Sequence, residues 1–320
     1  MLPRQTAWQT EEKGMKRKQI GIWTLLSVLL FTVCAYAAEE PVRIAFLDSG
    51  ISCRHLDAAQ VDAGENFVFP ERDTEDRIGH GTATAGIVLG SAELGLDGVS
   101  PTAQVVPLVC YDQYPSGVSV PAGQEVLAAA IYAAVDRYDC RIINISMGVT
   151  GDSELLRQAV DYAESKNAVI VSAVGNANRT APEKVFYPAA YDTVIGVGAA
   201  DGQQAAAFSQ RHGVAVLAPG TGLLTVTNRN AARAEQRSGT SYACAYVSGL
   251  CAEILRKEPS LRASEVRNRL YASALDLGTP GFDADTGWGL VTAPADRTAD
   301  LLRFSGVTAG GLALYLSLAA

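Results

Sequence analysis

The chain has 320 residues, 48% of them hydrophobic and 19% charged, with a mean hydropathy of +0.11 and a formal net charge of −8. That apolar content can bury a large core and excludes an intrinsically disordered chain. The acidic balance carries no basic stripe, so nothing would neutralise phosphates, and nucleic acid is excluded as a partner.

In chain order, residues 1–37 read as a targeting segment. Met15-Lys16-Arg17-Lys18 supplies a positive start, Ile20 to Val33 a 14-residue apolar stretch, and Ala35-Tyr36-Ala37 a small-x-small cleavage site. Met15 is the expected start, and export (secreted, periplasmic or cell-surface) the expected destination, with a retained N-terminal anchor as the alternative. Cys34 does not make a lipid-attachment signal, because Thr32-Val33 lacks the small residue such a signal needs. Removing the segment leaves 21 basic and 32 acidic residues, a net charge of −11.

Residues 41–295 alternate short apolar runs with helical periodicity. Strands are predicted at Val42–Leu47, Val105–Cys110, Arg141–Ser146, Ala168–Ala173, Thr193–Gly198 and Val214–Leu217. Helices are predicted at Thr82–Leu89, Gln124–Arg137, Ser153–Lys166, Ser241–Arg256 and Ala263–Ser273. Buried runs separated by crossover helices imply an α/β fold: a doubly wound, mostly parallel sheet with helices on both faces. There is no internal repeat or charge block, so one domain is expected, as a monomer. Residues 296–320 form an apolar tail. Its last stretch, Phe304 to Ala320, has 17 residues without a charge but with three glycines, against the roughly 20 that a membrane span needs. A membrane anchor is one reading of the tail; a helix or strand packed on the domain is the other.

Beyond residue 37 the chain holds Cys53, Cys110, Cys140, Cys244 and Cys251, an odd count that leaves at least one thiol unpaired. Cys244 and Cys251 sit seven residues apart on one predicted helix, roughly 10 Å along its axis, too far to bridge. Cys110 with Cys140 is a pairing that export would permit.

Three segments carry the chemistry. Ile44-Ala45-Phe46-Leu47-Asp48-Ser49-Gly50 ends a predicted strand on Asp48. Gly79-His80-Gly81-Thr82 and Gly239-Thr240-Ser241 each open a predicted helix. In open α/β sheets, sites form outside the carboxyl ends of the strands, where all three would meet. Singly, each has a bland reading: Asp48 as a turn carboxylate, His80 as a structural histidine, Ser241 as a helix N-cap. Together, in the order Asp, His, Ser, they form an arrangement in which the carboxylate orients the imidazole and the imidazole takes the serine proton.

On these residues the chain resembles the subtilisin-like serine proteases, from about Val42 to about Ala295. The resemblance implies an exported serine endopeptidase with Ser241 as nucleophile, His80 as base, Asp48 as its orienting carboxylate and an acyl-enzyme intermediate. It implies that Asn176, in Gly175-Asn176, donates to the oxyanion. It also implies that Ser146, Met147 and Gly148 pair with an extended peptide or protein substrate, and that Ala173, Val174 and Gly175 form the opposite wall of the pocket for the residue before the scissile bond. The side chains offered there are small or apolar and imply an apolar preference. A catalytically silent binding protein of the same fold is the alternative.

The chain departs from the family in three places. Ala83 stands where a second histidine often follows, Tyr242 stands where methionine is usual, and only Ala38-Glu39-Glu40-Pro41 separates the cleavage site from the first strand, leaving no propeptide domain. His55 is read as structural and His212 as a surface residue. The chemistry requires no cofactor. Structural calcium is common in relatives, and Asp57 with the Gly90–Gly98 loop is the candidate, but the oxygens make no ligand pattern and no metal ligand is assigned.

Overall fold

The six apolar runs and five periodic segments become strands and helices in the computed structural model, which describes residues 40–229 and 233–293. The main sheet holds β1 (Arg43–Asp48), β2 (Glu65–Asn66), β3 (Gln104–Val109), β4 (Ile142–Ile145), β5 (Val169–Ala173), β6 (Ile195–Asp201), β7 (Gln204–Ala205) and β8 (Val216–Pro219). The helices are α1 (His80–Leu89), α2 (Gln124–Asp136), α3 (Glu154–Ser165), α4 (Thr240–Lys257) and α5 (Ala263–Ala272). The targeting segment and the apolar tail lie outside the described residues. Among the described residues no helix is long and apolar enough to cross a membrane.

Strand order is β7-β6-β5-β4-β1-β3-β2, with β8 also paired to β6, and every pair is parallel except β6 with β7. Side chains alternate across a strand, and β1 shows the consequence. Ile44 and Phe46 enter one core with α1, α4 and α5, while Ala45 and Leu47 enter the other with α2 and α3. Both faces are covered, so these strands read as continuous apolar runs. α3 buries only one stripe, Leu156, Ala159, Val160 and Ala163, and Ser153 caps its start by accepting from the Leu156 N–H. α4 is buried almost all round from Thr240 to Ala252, the mark of a helix inside a core rather than on a surface.

From β1 the chain crosses to β3 on one side and then to β4 on the other, so the order reverses at β1/β4. A crevice opens there, outside the carboxyl ends. Asp48 ends β1, and Ser146 follows β4 directly.

The Cys110–Cys140 bridge does not form. Both residues are buried in the same apolar core, yet each is a free thiol, as are Cys53, Cys244 and Cys251.

Candidate active site

Asp48 is wholly buried at the end of β1, where the Ser49 N–H donates to its Oδ1 at 2.7 Å. His80 opens α1, and its Nδ1 lies 2.6 Å from the same oxygen. A carboxylate can only accept, so Nδ1 carries the proton and Nε2 is left with its lone pair. The Thr84 hydroxyl stands 3.1 Å from Oδ2, one helical turn on from His80. Two glycines allow this approach. Gly79 precedes the helix at φ +96°, a left-handed conformation that side chains disfavour. At Gly81 a Cβ would lie 2.1 Å from the Gly50 carbonyl oxygen and 3.2 Å from the Asp48 side chain.

The His80 side chain is 28% exposed, so one edge faces the crevice. Burial pulls its pKa down, but the Asp48 charge and hydrogen bond, with a further contribution from Asp76, outweigh that and hold it above the usual imidazole value. Asp76 was not singled out in the sequence. It is buried, and its Oδ1 accepts from the N–H groups of Ile78 and Gly79 and from the Ser49 hydroxyl, while Oδ2 accepts from the Thr82 N–H and hydroxyl. The Ser49 hydroxyl in turn accepts from the Gly81 N–H. Asp76 therefore ties the end of β1 to the start of α1. Its signal was an Asp three residues before the Gly that precedes a helix, a turn-forming position.

Ser241 lies in the first turn of α4 and is 7% exposed. Its hydroxyl donates to the Ser146 carbonyl at 3.0 Å, and no hydrogen bond joins it to His80. The neighbouring Tyr242 ring is 5.8 Å from the imidazole centroid, which sets this turn of α4 beside His80. Beneath Ser241 lies a buried polar network. Asn144 Nδ2 donates to the Ser146 hydroxyl, which donates to the Ser241 carbonyl; the Ser248 hydroxyl and Cys244 thiol contact Asn144 Oδ1.

Asn176 is exposed, and its orientation is fixed by Thr240, whose N–H and hydroxyl both donate to Asn176 Oδ1 at 2.9 and 3.1 Å. The amide Nδ2 is thereby turned away from Thr240 as an available donor. Gly175 is held to the same residue, its N–H donating to the Thr240 hydroxyl. The structure thus joins Asp48 to His80, Ser146 to Ser241 and Asn176 to Thr240, with Tyr242 placing the first turn of α4 beside His80.

The expected substrate walls are only partly surface. Met147, Gly148 and Gly175 are partly exposed, whereas Ala173 and Val174 are buried in apolar cores, so that wall presents Gly175 rather than three side chains. A cavity of about 310 Å³ opens beside His80 between the Ser146–Val149 wall and Tyr111, Ser119 and Pro121. Those last three were not singled out in the sequence, because nothing local distinguishes them.

His55 is buried away from these residues, with one ring nitrogen 3.1 Å from Glu93 Oε2 and the other 3.1 Å from the Arg229 carbonyl. His212 is exposed. Asp57 caps a short turn by accepting from the Ala59 N–H. A cavity of about 500 Å³ separates it from the Gly90–Gly98 loop, but the described residues contain no group of three or more His, Cys, Asp or Glu side chains that would hold a metal.

Comparison with known proteins gives the chain a family. Residues 40–289 match the Subtilase family. The chain is 34% identical over 258 residues to subtilisin DY of Bacillus licheniformis, covering 79% of this chain and 90% of the relative. It is also 34% identical over 260 residues to the minor extracellular protease Epr of Bacillus subtilis, covering 80% of this chain and 38% of that one. Among solved structures, the S41 psychrophilic protease superposes with a TM-score of 0.70 at 28% identity, over 80% of this chain and 92% of that one. The chain therefore belongs to the subtilase family and is a serine-type endopeptidase.

Proposed function

We propose that the protein is an exported endopeptidase that cleaves peptide bonds through an acyl-enzyme on Ser241. The observation that carries this reading is the 2.6 Å contact of His80 Nδ1 with the buried Asp48, made beside the first turn of α4. Asp48 keeps the proton on Nδ1, so Nε2 is the base. An extended substrate adds as a strand along Ser146–Gly148. Its N–H would take the Ser146 carbonyl, the group that holds the Ser241 hydroxyl at rest. The hydroxyl then turns between staggered positions and delivers its proton to Nε2 as it attacks the carbonyl. The oxyanion meets Asn176 Nδ2 and the Ser241 N–H in the first turn of α4. His80 next protonates the leaving amine, and water repeats the sequence to release the acyl group. Export rests on the pattern of residues 15–37, and the name of one relative, an extracellular protease, is consistent with it.

The test is covalent labelling. A fluorophosphonate should label the protein stoichiometrically and abolish its digestion of an unfolded protein, and Ser241→Ala should neither label nor digest. Folded protein that does not label, or labelling that survives Ser241→Ala, rules the reading out.

A further inference from the structure

We infer that Phe186 closes the substrate cleft beside the nucleophile and restricts the residue before the scissile bond to a small side chain: glycine, alanine or serine. This rests on the endopeptidase reading above and names the substrate class of that same site.

The nucleophile stands between two walls. One is Ser146–Gly148, whose Ser146 carbonyl holds the Ser241 hydroxyl. The other is Gly175-Asn176, pinned to Thr240 directly before Ser241. A side chain that precedes the scissile carbonyl must lie between them. Phe186 occupies that space. A Cβ on Gly175 would lie 2.6 Å from Phe186 Cδ2 and 2.7 Å from Cε2, so the ring rests directly on the Gly175 backbone. A Cβ on Gly148 would lie 3.1 Å from Phe186 Cβ and 3.6 Å from Cδ1, so the same side chain touches the other wall. Gly175 itself has φ +101°, which keeps side chains away from this position whatever the space.

The ring is held in place by backbone. Phe186–Tyr187 pairs antiparallel with Val149–Thr150, the continuation of the first wall, and the Phe186 carbonyl accepts from the Ala190 N–H at 3.1 Å. The next residue, Tyr187, packs its ring 4.9 Å from that of Tyr191. A large substrate side chain would have to displace a phenyl group whose strand is part of the wall, and such overpacking opposes binding. A methyl or hydroxymethyl group would fit against the ring edge. The apolar preference expected from the sequence thereby becomes a preference for small residues.

The experiment compares peptides that differ only in the residue before the scissile bond, carrying Ala, Ser, Leu or Phe. The expected result is a kcat/KM for Ala and Ser at least about tenfold above that for Leu and Phe, and a reversal of this order in Phe186→Gly. Phe186→Ala and Phe186→Val should give intermediate orders, and fluorophosphonate labelling of each variant identifies those that are folded. Wild-type preference for Leu or Phe overturns the inference, as does an unchanged order in any labelled variant. Either result leaves Ser241-dependent cleavage intact; loss of the endopeptidase reading would instead appear as cleavage that persists in Ser241→Ala.

Discussion

His80 is pulled in two directions, and its neighbours decide the outcome. Burial favours the neutral ring, while the two carboxylates Asp48 and Asp76 favour the cation and prevail over the opposing Arg237. Catalysis needs the neutral form, so activity falls as pH drops through this raised pKa. The acid limb of the pH profile should therefore lie above the ordinary imidazole range. Asp76 contributes in two separable ways, by its charge and by gathering N–H groups on either side of His80. Asp76→Asn removes one negative charge, which lowers the His80 pKa and moves the acid limb to lower pH. It also sets an NH2 group against N–H donors at the start of α1. The resulting displacement of the imidazole should lower kcat by on the order of ten- to a hundredfold. Ser49→Ala removes two struts, the Ser49–Asp76 and Gly81–Ser49 hydrogen bonds, and keeps the charge, so kcat should fall by less with the limb unmoved. Profiles of kcat and kcat/KM against pH for the three proteins check both statements. An Asp76→Asn limb that stays in place would mean that the imidazole does not feel this charge.

At the scale of elements, the site depends on how α4 sits over the end of β4. The two meet through Asn144, which is fully buried and bonds Ser146 on one side and Ser248 and Cys244 on the other. Asn144→Ala leaves the Ser248 hydroxyl without its acceptor inside the core and opens a void. It should cost about 2–4 kcal/mol. Denaturant unfolding in a Ser241→Ala background, where self-digestion is removed, measures this; a loss under 1 kcal/mol would show that the network does not hold α4. The elements themselves were legible in the sequence because β1, β3, β4, β5 and β6 are buried on both faces and the helices between them keep helical spacing. The residues at element ends, Asp48, His80 and Ser241, were legible for the same reason, since a strand end or helix start fixes where a side chain emerges. Asp76 and Phe186 were not. They lie in loops and two-residue strands, where no period exists, and their roles come from long-range contacts with Ser49, Gly148 and Gly175. The direction of the Ser241 hydroxyl is a single torsion, which no pattern of residues encodes.

At the scale of the whole molecule, the described residues are held together by core burial, and their five thiols are free. Apolar layers on both faces of the sheet supply burial on a scale that small secreted domains lack and replace with disulfides. Four of the five described thiols lie inside these layers, where burial pushes Cys140 and Cys251 up to about 12 and Cys110 and Cys244 higher still. A thiol in that state has no thiolate at neutral pH and does not react. Cys53 is exposed, but partial burial, with the nearby Glu75 and Asp57 charges, raises its pKa as well. Folded Ser241→Ala protein without residues 1–37 should therefore give one titratable thiol towards an aromatic disulfide reagent, reacting more slowly than free cysteine. The other four should appear only in denaturant, and a reductant should leave the melting temperature unchanged. Fewer than five thiols in denaturant, or a melting temperature lowered by reductant, would mean that a cross-link forms in the protein and carries part of its stability. Retention of all five would place that stability in the same apolar layers that position Asp48, His80 and Ser241, so a core substitution should lower activity and melting temperature together.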